Sequence, residues 1–356
     1  MKLRRINLLL LGIFFIFHYN IYSESIHTNK MLPRNTEPGK QIIEAVTHYL
    51  DAVKNANQDI HSLMIVQHGK VVAEKWLGNH TPIEPHAMYS VSKTFTATAV
   101  GFAIQEGKLK LTDKVISFFP EYLPAQVSRN LKDLEIKHLL TMSGGHDTDP
   151  TGVIRGQSEP GSWEKSFLAT PFPHQPGTCF VYNSMGTYML SAIVQKVTGQ
   201  KILDYLTPRL FQPLGIANVV WEESPSGVNC GGWGLLITTE DMAKMGQFIL
   251  QKGRWNENRL LQASWFDQAT SYQVASLPAG AKKENLSMKP EDSDWLQGYG
   301  FQMWRCRHNA YRADGANGQF IIIIPEKDAV IVTTANVGDM QGEINLIWKY
   351  LLPALN

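Results

Sequence analysis

Cysteine is scarce in this chain: three in 356 residues, at Cys179, Cys230 and Cys306. An odd, widely spaced set makes neither a disulfide framework nor a zinc-ligand spacing, and at most one bridge is possible. Buried small hydrophobes are the simpler reading. The 11 histidines contain no His-Glu-x-x-His or comparable cluster, so the sequence points to no metal site, and no cofactor is expected. Charge of one sign is lacking too. With 33 basic against 32 acidic residues the net charge is +1. No long basic run exists, which argues against nucleic acid as a partner. No Gly-x-Ser-x-Gly elbow occurs anywhere, which removes the α/β-hydrolase type of nucleophile. Internal repeats and low-complexity blocks are absent after residue 38. Hydrophobic residues make up 44% and charged residues 18%, ordinary values for a globular chain with a sizeable core.

A sustained greasy run flanked by charge occurs at the start. Lys2, Arg4 and Arg5 precede the apolar stretch Ile6–Phe17, and Ile21-Tyr22-Ser23-Glu24 follows. A positive region, a short apolar region and a small residue predict a signal peptide over 1–23, cut after Ser23. Export to a periplasm or beyond the cell follows from it. The alternative is an uncleaved N-terminal membrane anchor, although the run falls short of the roughly 20 residues a span needs. No cysteine lies there for lipid attachment. Residues 24–37 then read as a leader linker and 38–356 as one domain.

Against these absences stands the tetrad Ser90-Val91-Ser92-Lys93, which opens an almost wholly apolar stretch ending near Gly107. On a helix, positions i and i+3 are neighbours, so the amine reaches the hydroxyl's proton. A serine needs a base to become a nucleophile, and a lysine serves only with a lowered pKa. The apolar surroundings and the positive end of a helix both act in that direction. The bare pattern is weak. It recurs at Ser162-Trp163-Glu164-Lys165, in a segment rich in proline and glycine that reads as a loop, where no catalytic role is expected.

The flanking pattern places the tetrad in a fold. Ile42–Val53 reads as an amphipathic helix. Leu63–Gln67 and Val71–Trp76 flank His68-Gly69-Lys70 as a hairpin. Residues 108–290 alternate helical patterns with loops, and Tyr299–Arg305, Phe320–Ile324 and Ala329–Thr334 return to β character before a final helix over Ile344–Leu352. This predicts an α/β (α+β type) chain: an antiparallel sheet flanked by helices, built from about 38–107 and 291–356, plus a mainly helical lobe over about 108–290. The Ser90 helix would lie between the lobes, where ligand clefts commonly form.

Two further segments carry chemistry. Tyr182 follows the Pro176-Gly177-Thr178 turn and precedes a helix-like run, a setting for a second base or proton relay; a neighbouring ammonium would favour its phenolate. Ala313-Asp314-Gly315-Ala316-Asn317-Gly318 precedes an apolar strand, where glycines let backbone approach a ligand and an exposed amide can hold an oxyanion.

In their order these segments resemble the serine β-lactamase and penicillin-binding-protein superfamily, in the branch with class C β-lactamases, D-alanyl-D-alanine carboxypeptidases, β-lactamase-fold esterases and nylon-oligomer hydrolases. Tyr89–Thr96 resembles the nucleophile motif, Leu139–Gly145 the helix and turn that follow, and Pro176–Gly186 the tyrosine motif. Gly231–Leu235 with Asp241–Gly246 resembles a helical-lobe signature, and Pro325-Glu326 the last strand turn. The resemblance implies a β-lactamase/transpeptidase-like fold and an acyl-enzyme on Ser90. It also implies proton transfer by Lys93 and Tyr182, and an oxyanion hole from the amides of Ser90 and Ala316. Ser184 and Gly315 would line the substrate site. Two departures bear on substrate. Ser184 stands where the family usually has an asparagine, with Asn183 one residue early, and Ala313-Asp314-Gly315 lacks the usual basic residue that binds a penicillin carboxylate. The expectation is an exported serine hydrolase cleaving an ester or amide of a small molecule or short peptide. The alternatives are a β-lactamase or D-alanyl-D-alanine carboxypeptidase and, in another class, a non-catalytic sensor or binding module.

Overall fold

Ile321 to Ile324 is a run of four isoleucines, and a strand with one face in water would not carry it. In the computed structural model, which describes residues 31–277, 281 and 286–356, that run lies in a sheet covered on both faces. The proposed signal peptide over 1–23 and the first half of the 24–37 linker, residues 24–30, lie outside the described residues.

The chain begins with α1 (Lys40–Asn55), β1 (Ile60–Gln67), β2 (Lys70–Trp76), β3 (His86–Ala87) and α2 (Ser92–Gln105). Short helices follow: α3 (Arg129–Asp133), α4 (Ile136–Leu140), α5 (Thr151–Ile154) and α6 (Ser162–Ala169). Then come α7 (Ser184–Thr198), α8 (Ile202–Leu206), α9 (Gln212–Leu214), β4 (Val220–Trp221), β5 (Leu235–Ile237) and α10 (Thr239–Leu250). A small hairpin, β6 (Arg254–Trp255) and β7 (Asn258–Arg259), precedes α11 (Ala263–Ala269). The chain ends with β8 (Trp304–Arg305), β9 (Tyr311–Gly315), β10 (Gln319–Ile324), β11 (Ala329–Ala335) and α12 (Met340–Leu346).

Six antiparallel strands form the main sheet in the order β2-β1-β11-β10-β9-β8. Because side chains alternate across a strand, each apolar run feeds two cores. Leu63, Ile65, Phe320, Ile322 and Ile331 pack with α1 and the C-terminal helix, whereas Met64, Val66, Ile321, Ile323 and Val332 face α2 and α10. A second sheet, β3-β5-β4, ties the segment before Ser90 to residues 235–237.

The hairpin, the first helix and the last two long strands occur where the sequence predicts them. Of the Tyr299–Arg305 stretch only Trp304 and Arg305 pair as a strand, because Gly298 and Gln302 adopt positive φ and break the extended run. Helix α10 falls inside the 108–290 stretch yet packs on β1, β10 and β11, so the chain returns to the sheet well before residue 290. Ser162–Ala169 is helical, which corrects the loop expected there: left-handed Gly161 starts the helix, and Trp163, Phe167 and Leu168 bury its apolar face. All three cysteines are free thiols.

At Gly246, α10 packs directly on β10 and β11. A Cβ there would lie 2.7 Å from Ile321 Cγ2 and would also run into Val330. Gly246→Val is expected to lower unfolding free energy by about 1–3 kcal/mol through overpacking. Urea unfolding followed by circular dichroism measures it, and an unchanged midpoint would contradict this packing.

Candidate active site

A single turn of 3₁₀ helix, Tyr89–Val91, carries Ser90 into α2. Its geometry is unusual at Tyr89, a non-glycine residue with φ of 44°, a region that costs energy and persists only where surroundings impose it. Ser92 is one of those surroundings. Its buried hydroxyl donates to Tyr89 O at 2.6 Å and accepts from the Leu235 amide at 3.2 Å. Met88 N donates to Leu235 O at 2.9 Å, so the turn is tied to β5 on both sides. Gly315, at the end of β9, is buried with Met88 O occupying the place a Cβ would take. That close approach brings the strand end against the turn.

Lys93 sits one helical turn from Ser90 and is 1% exposed. Its Nζ contacts three oxygens: Ser90 Oγ at 2.8 Å, Ser184 Oγ at 3.0 Å and Gly232 O at 2.7 Å. Burial lowers its pKa to about 7, against the opposing pull of the Asp149 and Asp314 carboxylates. A pKa near neutrality leaves an unprotonated fraction, whose lone pair faces Ser90 Oγ while its N–H groups can still serve the other two oxygens.

Each partner has a structural cause. Asn183 caps α7, its side chain accepting from Gly186 N at 2.8 Å and donating to His146 at 3.2 Å. Ser184 is thereby the first residue of α7, facing Lys93. The shift of asparagine and serine relative to the family pattern is therefore a change of job: the asparagine is buried as a cap, and the serine reaches the amine. Gly232 turns its carbonyl to Lys93, and the neighbouring Gly231 O accepts from Thr96 Oγ1 at 2.9 Å. A Cβ on Gly232 would meet Ser184 O at 2.7 Å.

Tyr182 closes the site from the far side. Its ring stacks on Trp304 with centroids 5.4 Å apart, and Lys93 Nζ lies 4.9 Å from its centroid. A neighbouring ammonium would favour the phenolate, but burial acts the other way. Burial pushes the phenol's pKa up, Asp314 pushes it further, and hydrogen bonding with Ser90 only partly offsets them. Tyr182 rests as a neutral phenol and Lys93 is the group that deprotonates near neutrality. Asp314 pairs with Arg312 at 2.7 Å. Arg312 is fully buried and also donates to Asp294 O. Ala313, on the opposite face of β9, is fully buried, so neither it nor the engaged Arg312 offers a free cation from this strand. Ala316 follows Gly315 and is exposed at the strand end.

Residues 52–352 match the family model described as Beta-lactamase. The chain belongs to the β-lactamase family. It is 24% identical over 296 residues to the 6-aminohexanoate-dimer hydrolase of Paenarthrobacter ureafaciens, covering 78% of this chain and 73% of that protein. It is 27% identical over 174 residues to Protein flp of Staphylococcus aureus, covering 46% of this chain and only 35% of that protein. The octameric penicillin-binding protein homologue from Pyrococcus abyssi superposes with a TM-score of 0.66 at 19% identity, over 88% of this chain and 78% of that one. That likeness shows a shared β-lactamase/transpeptidase-like fold, and the chain is a serine hydrolase of this family.

Within the family frame, Ser90, Lys93, Tyr182 and Ser184 come together. Ser162 lies apart from them on α6, and Lys165 is exposed. Asp149 went unnoticed in the sequence. It accepts from Ser184 N at 3.2 Å and Thr151 N at 3.0 Å, so one carboxylate serves two helix starts. Its only sequence signal is an aspartate before Pro150-Thr151, a helix-start pattern. Ser92 and the Gly232 carbonyl had no chemical signal at all.

Labelling by a fluorophosphonate serine probe is expected to rise with pH through about 7, because the ammonium dominates below that pH and the free amine above it. Peptide mapping should find the adduct on Ser90 in wild type and in Ser162→Ala, and no adduct in Ser90→Ala. A flat profile, or an adduct on Ser162, would reject the assignment. Ser92→Ala removes the bridge that holds Tyr89, and it should slow labelling by up to about tenfold, the kinetic equivalent of one lost hydrogen bond. Unchanged labelling would show that the turn holds itself.

Proposed function

We propose that this protein hydrolyses an ester or amide through an acyl-enzyme on Ser90, with Lys93 as base. The observation that carries this reading is the buried Lys93 amine, 2.8 Å from Ser90 Oγ and poised to titrate near 7. Ser90 Oγ attacks the carbonyl carbon as its proton passes to the Lys93 lone pair. The carbonyl oxygen gains the negative charge and is met by the amides of Ser90 and Ala316. Collapse of the tetrahedral adduct breaks the ester or amide bond, and the proton on Lys93 is delivered to the leaving group, with the Tyr182 phenol and Ser184 hydroxyl as relays. Water then repeats the sequence on the acyl-enzyme and frees Ser90.

The substrate reading rests on charge. The groups whose fields act on Lys93 are the acidic Asp149 and Asp314, and Arg312 is engaged by Asp314. A carboxylate beside the scissile bond, as in penicillins, gains nothing from such surroundings, whereas an uncharged or amine-bearing acyl compound does. The relative named 6-aminohexanoate-dimer hydrolase is, by its name, a hydrolase of an amine-bearing dimer. Export, read from residues 1–23, is part of the same proposal; among the described residues no helix is long and apolar enough to cross a membrane.

The test is kcat/KM for a short p-nitrophenyl ester, a linear aminoacyl amide, a penicillin, a chromogenic cephalosporin and a D-alanyl-D-alanine peptide. The ester and the amide are expected to exceed the β-lactams and the peptide by at least tenfold. Lys93→Arg should lose nearly all turnover although charge is kept, because guanidinium is no base near neutrality. A β-lactam or D-alanyl peptide that wins by tenfold would overturn the substrate reading. Stoichiometric labelling without turnover of any of the five would favour a sensor.

A further inference from the structure

Away from the Ser90 site, three histidines from separate segments converge. His61 lies on β1, His80 on the turn after β2, and His86 on β3. Backbone bonds set the turn: Leu77 N donates to His61 O at 2.9 Å and His80 N to Leu77 O at 3.1 Å, folding His80 back over β1. The His61 and His80 rings stack with centroids 3.9 Å apart, and His86 lies 5.9 and 5.6 Å from them. One ring nitrogen from each lies within 4.8 Å of the others.

Two features distinguish this cluster from a chance meeting of surface imidazoles. His86 is 8% exposed, and its Nε2 has no hydrogen-bond partner. A buried ring nitrogen left unpaired is costly, and a bound ion would satisfy it. Carboxylates also lie beside one nitrogen of each of the other two rings. His80 Nδ1 bonds Glu84 Oε2 at 3.0 Å, and His61 Nε2 lies 3.5 Å from Asp59 Oδ2. A carboxylate on the far nitrogen fixes the tautomer and orientation of a ligating imidazole, the usual outer shell of histidine metal sites.

We infer that His61, His80 and His86 form a binding site for a divalent transition metal of the zinc type, with water in the remaining position. Three neutral imidazoles suit zinc, copper or nickel in preference to magnesium or calcium. Zinc–nitrogen bonds of about 2.0–2.1 Å require the rings to close by on the order of 1 Å, which splaying the stacked pair provides. Such an ion would join β1, the turn and β3. Because β3 runs directly into Tyr89 and Ser90, the ion would brace the approach to the Ser90 turn without touching the reacting atoms. The role is structural and independent of the substrate reading.

The experiment uses the tag-free full chain, stripped with EDTA and titrated with Zn²⁺ by calorimetry, with Co²⁺ as a spectroscopic stand-in. One equivalent should bind, raise the melting temperature and, as Co²⁺, show the visible bands of a tetrahedral site. His80→Ala, on the half-exposed turn, and His86→Ala should each weaken binding about tenfold or more, while His48→Ala on α1 leaves it unchanged. If His86→Ala fails to fold, His80→Ala alone decides. No saturable binding, or equal binding by His80→Ala and wild type, would overturn the site and leave the cluster as packing.

Discussion

Burying one lysine amine organises the Ser90 site. At 1% exposure the Lys93 ammonium has lost its water, and the interior returns three oxygens, from Ser90, Ser184 and Gly232. Those oxygens come from the 3₁₀ turn before α2, the start of α7 and the glycine segment before β5. Each is set by a different local rule: a positive φ at Tyr89, an asparagine cap and a glycine where a side chain would collide. Loss of any one would leave the amine less well placed or less desolvated. The lowered pKa is thus a property of the whole junction.

The sheet serves that junction from below. It is covered on both faces, and β9 ends where Gly315 packs against Met88 O. The Ser90 turn is held between β5, through Ser92 and Met88, and the end of β9. Behind β9 lies a second buried electrostatic unit, Arg312 with Asp314, whose salt bridge faces away from α2. Its carboxylate reaches the site only through its field, opposing the fall in the Lys93 pKa and raising that of Tyr182. Divided this way, the two titratable groups have separate duties: the amine loses its proton near neutrality and the phenol keeps its own.

Much of this was legible in the sequence wherever the signal was local. The Ser90/Lys93 pairing follows from helical spacing, the His68-Gly69-Lys70 turn from its glycine, and the last strands from their β-branched runs. The ordered motifs were enough to indicate the family. Ser162 was misread because proline and glycine at 156–161 mark the approach to a helix as readily as a loop, and the capping Gly161 decides between them only in three dimensions. At Tyr182 a nearby ammonium favours phenolate in isolation, while burial, which sequence does not measure, acts more strongly in the other direction.

By itself the sequence determined which groups exist and how neighbours along a helix or strand must sit: a serine with an amine one turn away, and isoleucine runs that demand cover on both faces. Tertiary structure alone decided what those groups became. It buried Lys93 deeply enough to free its lone pair, turned Arg312 away from α2 and gave it to Asp314, and gathered His61, His80 and His86 from segments with no common motif. The physical reason is the same in each case. Desolvation and charge–charge interaction depend on distances between residues far apart in the chain, and no periodicity in the sequence records them.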